Sequence, residues 1–521
     1  MIGQKIIYSL LCLVLAVSIV LWSCSDDDDD DQTMGMLESA LDIEAIMAHL
    51  EQLELIAQGN NGHRAAGSSG YDQSVSYIRE TLSNTDFIIT EQEVQVRYFE
   101  ETAPPVLEMI SPENTSYTWG TDYVTLSYSG SGDVHSEIVF IDPMIPPGET
   151  DNSSTDGCEE EDFQNIDLTG KIAVIQRGSC YYHIKATYAE QNGASAVLIF
   201  NEGQAGRQEV ISATLTAGSE VTIPVLGLSY NLGYKLYTLT QTGQTVEMHV
   251  TVTALDEWTV ASNIFAETAS GNDDQVIILG AHLDSVTAGP GINDDGSGSA
   301  ALLELAYQIA SLGYKPVNKI TFAWWTAEED GLLGSEYFLA DLLANNPAAL
   351  GRIAMYLNFD MIASPNYIRG VQDSDQSVID SGFEQTPPGS GDLEQSFLDY
   401  FQARDLPTVP VGISRSDDVS FFNYGIPSSA LATGSAGLKS QNEVALFGGT
   451  AGEPYDPCWH RACDTTDNID QEILLQNAQA IASVLESYGD IQGPLFDTRT
   501  AVSPGAMSPS HAGHYHALPL E

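Results

Sequence analysis

His282, Asp284, Asp294, Asp295, the adjacent pair Glu328–Glu329, Asp360 and His460 are the residues of this chain best suited to chemistry. Imidazole and carboxylate are both ligands that zinc accepts. Three carboxylates and two neutral imidazoles would offset much of the charge of two Zn²⁺ and leave coordination open for water and substrate. A pair of such ions, about 3.5–4 Å apart, polarises a carbonyl and draws the pKa of water from about 15.7 toward about 7. Amide hydrolysis at neutral pH needs both effects. Of two adjacent glutamates at a strand end, one can bind metal while the other carries the proton. Plainer readings compete: Asp294 or Asp295 as a helix cap, and Glu328–Glu329 as a surface charge pair.

The elements that must position these residues read clearly. Val276–Leu279 is a buried strand pattern leading to His282, and Ser299–Ala310 is a helix pattern leaving Asp295. Gly289, Gly291, Gly296 and Gly298 allow the loop between them to turn sharply. Lys319–Trp325 is a second strand, ending just before Glu328, and Ala354–Phe359 a third, ending at Asp360. In an open α/β sheet ligands bind at the carboxyl edge, where these three runs each deliver metal-type residues. His460 lies inside Cys458–Cys463, a loop closed by a disulfide or, alternatively, a Cys-x₄-Cys zinc site.

His282-Leu-Asp284, Asn293-Asp294-Asp295-Gly-Ser-Gly, Ala327-Glu328-Glu329, Asn358-Phe-Asp360-Met361 and Trp459-His460 occur in that order. They resemble the co-catalytic di-zinc exopeptidase family that includes secreted leucine aminopeptidases, vacuolar aminopeptidase Y and glutamate carboxypeptidase. The resemblance implies an α/β fold, a mixed central sheet flanked by helices, and two Zn²⁺ per chain. It implies that Asp294 bridges the ions, with His282 and Asp360 completing one site and Glu329 and His460 the other. Glu328 would be the general base. Asp284 would accept the other ring N–H of His282 and fix its tautomer. Ser414-Arg415-Ser416-Asp417 is similar to the family's Arg-Ser-Asp segment. It would place Arg415 on the substrate's carbonyl or carboxylate, unless Arg415 pairs with Asp417. Met361 and Trp459 would line the substrate site; the indole N–H can donate to an oxyanion but cannot titrate. Ala432 would leave a roomy side-chain pocket. His63 is a lesser ligand candidate.

Gly170–Cys180, Lys185 and Gly193–Asn201 resemble the protease-associated domain, a β-rich insert without chemistry of its own. The expected layout is a signal peptide at 1–23, an acidic linker at 24–35 and peptidase segments at 36–117 and 251–490. Between those segments lies the insert at 118–250, and a disordered tail follows at 491–521. Leu21-Trp22-Ser23-Cys24 resembles a lipoprotein box, which implies export and a lipid anchor on Cys24. Cys158, Cys180, Cys458 and Cys463 allow three pairings; 158–180 and 458–463 are the simplest. Oxidising surroundings favour such bridges. The tail carries His511, His514 and His516, a metal-scavenging pattern or an idle one.

The chain has 521 residues, 73 acids against 18 bases and a formal net charge of -55. That excludes nucleic acid, whose phosphates need Lys and Arg. It leaves the lipid anchor as the one membrane attachment. Calcium is a possible second cation among so many acids, although no EF-hand spacing appears. Peptides are the expected substrates. An acidic site attracts an amino-terminal ammonium, so aminopeptidase is preferred to a carboxypeptidase, a dipeptidase or a non-catalytic receptor ectodomain.

Overall fold

A computed structural model describes residues 34–496, apart from Ala217 and Ser414. The signal, Cys24 and the His511–His516 tract lie outside the described residues. Residues 35–496 form one compact unit.

Four parallel strands make the centre of the sheet. Asn272–His282 lies between Asn318–Trp325 and Ile353–Phe359, and Ser428–Ala432 follows. Both faces of these strands are buried, which is why they read as unbroken apolar runs rather than alternating ones. Their register sets Trp325 opposite His282 and Asn358 opposite Gly280, so their carboxyl ends are level. Helices Ile43–Gln58, Gly296–Leu312 and Gln471–Gly489 pack into the same apolar core as these strands.

The sheet continues beyond Asn318–Trp325 through two long antiparallel strands, Ile88–Ser111 and Glu247–Glu267. Gly132–Phe140 joins the second of these. From it the inserted region runs in parallel through Ile172–Gln176, Ala196–Phe200 and Val225–Leu228. Its core is separate from the main one. The Cys158–Cys180 and Cys458–Cys463 disulfides both form.

Three features depart from the sequence reading. Apolar residues at helical spacing over Leu37–Ile56 predict one helix; the structure has two, because Asp42 caps the second by accepting from the Glu44 N–H. The sequence pattern changes at Ala103-Pro104-Pro105, which predicts an end to the strand before it; the structure instead runs through two register shifts there inside one 24-residue strand. Proline removes ladder donors without ending extended backbone. Residues 491–496, expected to open a disordered tail, pack on the body: the Leu495 N–H donates to Gln275 at 2.7 Å, and the Phe496 ring lies tilted 6.0 Å from that of Tyr488.

Candidate active site and metal centre

The three parallel strands deliver their terminal residues to one place. His282 closes its strand; Glu328 and Glu329 follow the second by a turn, and Asp360 follows the third directly. The capping question resolves cleanly. Asp295 is the cap of helix Gly296–Leu312, accepting from the Gly298 N–H at 3.0 Å. Its carboxylate also accepts the His282 and Met361 N–H groups at 3.2 and 3.1 Å. It therefore ties two strand ends to a helix start. Asp295 lies within ligand distance of His282 and Asp360, but those three amides already occupy its oxygens. Asp294 is left to face the site.

Asp294 Oδ1 lies 3.1 Å from His282 Nε2, and Oδ2 lies 3.2 Å from His460 Nε2. One carboxylate thus reaches two imidazoles, one with each oxygen. His282 Nε2 also sits 3.6 Å from Asp360 Oδ1, and His460 Nε2 3.1 Å from Glu329 Oε2. Two half-sites share Asp294. Glu329 Oε1 and Asp360 Oδ1 are buried with no hydrogen-bond partner. Buried polar atoms are nearly always satisfied, so orphaned carboxylate oxygens in this setting call for a cation. The five side chains supply the oxygen and nitrogen donors that zinc takes.

The electrostatics agree. Burial alone would raise the Asp294 carboxyl, yet its hydrogen bonds to His282 and His460 hold it far below the carboxylate range. Burial would lower His460; Glu329 and Asp294 outweigh it and raise the ring to about 11. Glu328 is raised well above the glutamate range by burial, with negative charge on Asp360, Glu329 and Asp417 adding to the effect. A half-buried carboxyl of raised pKa suits proton transfer.

The supporting residues were only partly foreseen. Asp284 faces the His282 ring and also holds the backbone next to it. Its carboxylate accepts the Glu328 and Glu329 amides at 3.2 and 3.3 Å, while its backbone carbonyl lies 3.1 Å from His282 Nδ1 and the carboxylate 3.6 Å. Arg64, passed over in a Gly-rich turn, is fully buried. Its guanidinium donates to the carbonyls of Leu283, Pro290 and Gly291, fixing the loop that carries Asp294. Asp464 was likewise missed: it accepts the Asn293 and Asp294 amides at 2.9 and 3.2 Å. Burial pushes its carboxyl up to about 7. Arg64 has no acid nearer in sequence than Asp72, which was the one local hint; Asp464, three residues after Arg461, offered none in the sequence. Their carbonyl and amide partners could not be read from it.

Backbone strain marks the same places. Ala327, Met361 and His460 have φ of 54°, 55° and 56°. Left-handed backbone at a non-glycine costs of order 1–3 kcal/mol and persists where surroundings impose it. Each of these residues is, or directly precedes or follows, a member of the acidic and imidazole cluster. At Gly289 a Cβ would sit 2.1 Å from the Arg461 carbonyl, so the metal-side loop and the disulfide loop touch through backbone.

Trp459 stacks on His460 with ring centroids 3.9 Å apart. Met361 is almost fully buried. Arg415 is exposed, and no ion pair joins it to Asp417, whose two carboxylate oxygens are buried and unpartnered. His63 stays out of the cluster: it is buried beside Tyr98, with Glu100 at 3.8 Å. The best acidic group for calcium, Asp373, Asp375 and Glu394, is a loop clamp, since Asp373 accepts the Ser377, Val378 and Ile379 amides.

Residues 263–485 match the M28 peptidase family, and residues 137–236 match the PA domain. An aminopeptidase of Pseudomonas aeruginosa is 40% identical over 450 residues, spanning 86% of this chain and 81% of that protein. The chain belongs to peptidase family M28. This M28 peptidase is also 35% identical over 467 residues to a Mycobacterium tuberculosis protein named "Probable lipoprotein aminopeptidase LpqL", covering 88% of this chain and 87% of that one. Leucine aminopeptidase 2 of Trichophyton tonsurans is 32% identical over 484 residues, covering 92% and 90%. Among solved structures, an aminopeptidase from Aneurinibacillus superposes with a TM-score of 0.67 at 23% identity, covering 89% of this chain and 98% of that one. A zinc aminopeptidase from Bacillus subtilis gives 0.61 at 22% identity, covering 87% and 97%. At those identities the likeness establishes the shared fold.

Proposed function

We propose that this M28 peptidase is an exported zinc aminopeptidase that holds two Zn²⁺ per chain. His282 and Asp360 complete one site, Glu329 and His460 the other, and Asp294 joins both. The observation that carries this reading is the position of Asp294, with one oxygen beside each imidazole and an orphaned carboxylate oxygen on either side. Relatives named aminopeptidase and a neighbour titled zinc aminopeptidase support it. Bound there, the ions would supply Lewis-acid polarisation and a more acidic water.

The chain's own groups divide the remaining work. Glu328 takes the proton of the attacking water and returns it to the leaving amine. Asp284 fixes the Glu328–Glu329 backbone by accepting both amides. Glu328 and Asp360 favour the free ammonium of a peptide in a strongly acidic protein. The Trp459 indole N–H donates to the developing oxyanion. Arg415 and Met361 border the bound peptide, and an apolar side chain at the peptide's amino terminus suits the small Ala432. Export and a lipid anchor at Cys24 rest on the amino-terminal sequence and gain support from the relative named as a lipoprotein. No helix among the described residues is long and apolar enough to cross a membrane.

The test is a panel of amino-acid p-nitroanilides and peptides, free or acylated at the amino terminus, with and without chelator. Hydrolysis of free amino termini alone, abolished by chelator and restored by Zn²⁺, is the expected result. Equal turnover of acylated peptides would contradict the aminopeptidase reading.

A further inference from the structure

A second group of metal-type side chains lies on the strands that lead into the inserted domain. His135 on Gly132–Phe140 is paired across the antiparallel ladder with His249 on Glu247–Glu267. Asp133 is two residues before His135, so both project from the same face of the sheet. On the far side of His249 the next strand places Glu108 directly opposite. One face therefore carries Glu108, His249 and His135 across three strands, with Asp133 one step along.

The distances are close. The His135 and His249 rings lie 3.8 Å apart between centroids, at an interplanar angle of 12°. Asp133 Oδ1 is 2.8 Å from His249 Nε2 and 3.6 Å from His135 Nε2. Glu108 Oε2 is 3.6 Å from His249 Nδ1. Asp133 and the Thr251 hydroxyl, the latter at 2.9 Å, face Nε2 of His249, and Glu108 faces its Nδ1 from the other side. That carboxylate–histidine arrangement is the one that orients metal-binding imidazoles.

We propose that Asp133, His135 and His249 form a surface site for a borderline transition-metal dication such as Zn²⁺, independent of the catalytic pair. Two imidazoles and one carboxylate suit zinc, nickel or copper rather than calcium or magnesium, which take oxygen. The rings lie nearly parallel, so their lone pairs converge after a turn about the χ2 of His135. That torsion is broad, and the His135 side chain is 57% exposed. The ladder already holds the ligand-bearing backbones in place, so little ordering is left for the ion to impose.

The test uses the full chain with its catalytic sites loaded with zinc. Dialysis against buffered Zn²⁺ in the micromolar range, followed by metal analysis, should give one more ion per chain than in the H135A/H249A double variant. Peptidase rates of the two proteins should be equal. H135Q, which alters only the more exposed ring, should weaken uptake of that ion at least about tenfold. In a zinc titration the imidazole NMR signals of His135 and His249 should shift together. Equal metal content in wild type, H135A/H249A and H135Q overturns the proposal; H135Q alone decides it if the double variant does not fold.

Discussion

Asp156, buried in the inserted domain, accepts the Asp142 and Gln176 amides at 2.9 and 2.6 Å. Lys185 lies beside it and donates to its backbone carbonyl. Glu202, nearby, accepts from Asn152 and Ser154 and faces Arg207. At the carboxyl edge of the peptidase sheet the acids are closer together and worse supplied. Among the described residues, the buried carboxylate oxygens without a partner belong to Glu329, Asp360 and Asp417, all in the peptidase part. Both regions bury charge, at a cost of several kcal/mol per ion after relaxation. The inserted domain meets that cost with its own amides and cations. The peptidase edge does not, which is the mark of a place built around something the chain does not contain.

The comparison can be broken from either side. The largest expected effect is at Glu328: E328Q should lower turnover by about 10²–10⁴ while keeping the metal content of the wild type. Near-native activity would remove Glu328 from the proton-transfer role. Next comes the inserted domain. K185M removes the cation beside Asp156 and should cost ~3–5 kcal/mol in denaturant unfolding, with metal content per chain unchanged. A loss of metal in K185M would show that the two regions are not separate in the way described. D284N weakens the clamp on the Glu328 and Glu329 amides and should cost about 10–100-fold in metal affinity or activity, read by competition with a chelating dye.

The smallest effect concerns a side chain that joins the two regions beside the site. Tyr128 of the inserted domain donates to Asp330, the residue after Glu329. Arg97 lies over the Tyr128 ring at 5.3 Å. Y128F should cost about 1 kcal/mol in stability and leave turnover within tenfold of wild type. A larger loss of turnover would mean the insert helps to hold the catalytic loop.

The parts of this arrangement legible in the sequence were those with local signatures. Apolar runs ending at His282, before Glu328 and at Asp360 read as buried strands because both faces of the sheet are covered. Glycine-rich punctuation located the loop before helix Gly296–Leu312. Residue type and spacing alone did not choose between Asp294 and Asp295, since either can cap a helix, and it was the family resemblance that put Asp294 on the ions; the meeting of the His282, Gly298 and Met361 amides on Asp295 identifies the cap. Arg64 and Asp464 escaped for a similar reason. Their partners are backbone atoms more than 160 positions away, and backbone partners leave no trace in residue type. The long strand through Pro104 and Pro105 was hidden because proline removes a hydrogen bond without changing the extended path.

The most direct test of the central claim is a zinc-edge anomalous difference map from crystals of the active protein. Two peaks about 3.5–4 Å apart, one beside His282 and Asp360 and one beside Glu329 and His460, with Asp294 between them, are the predicted result. A single peak, or peaks away from these five side chains in a fully active crystal, would contradict it.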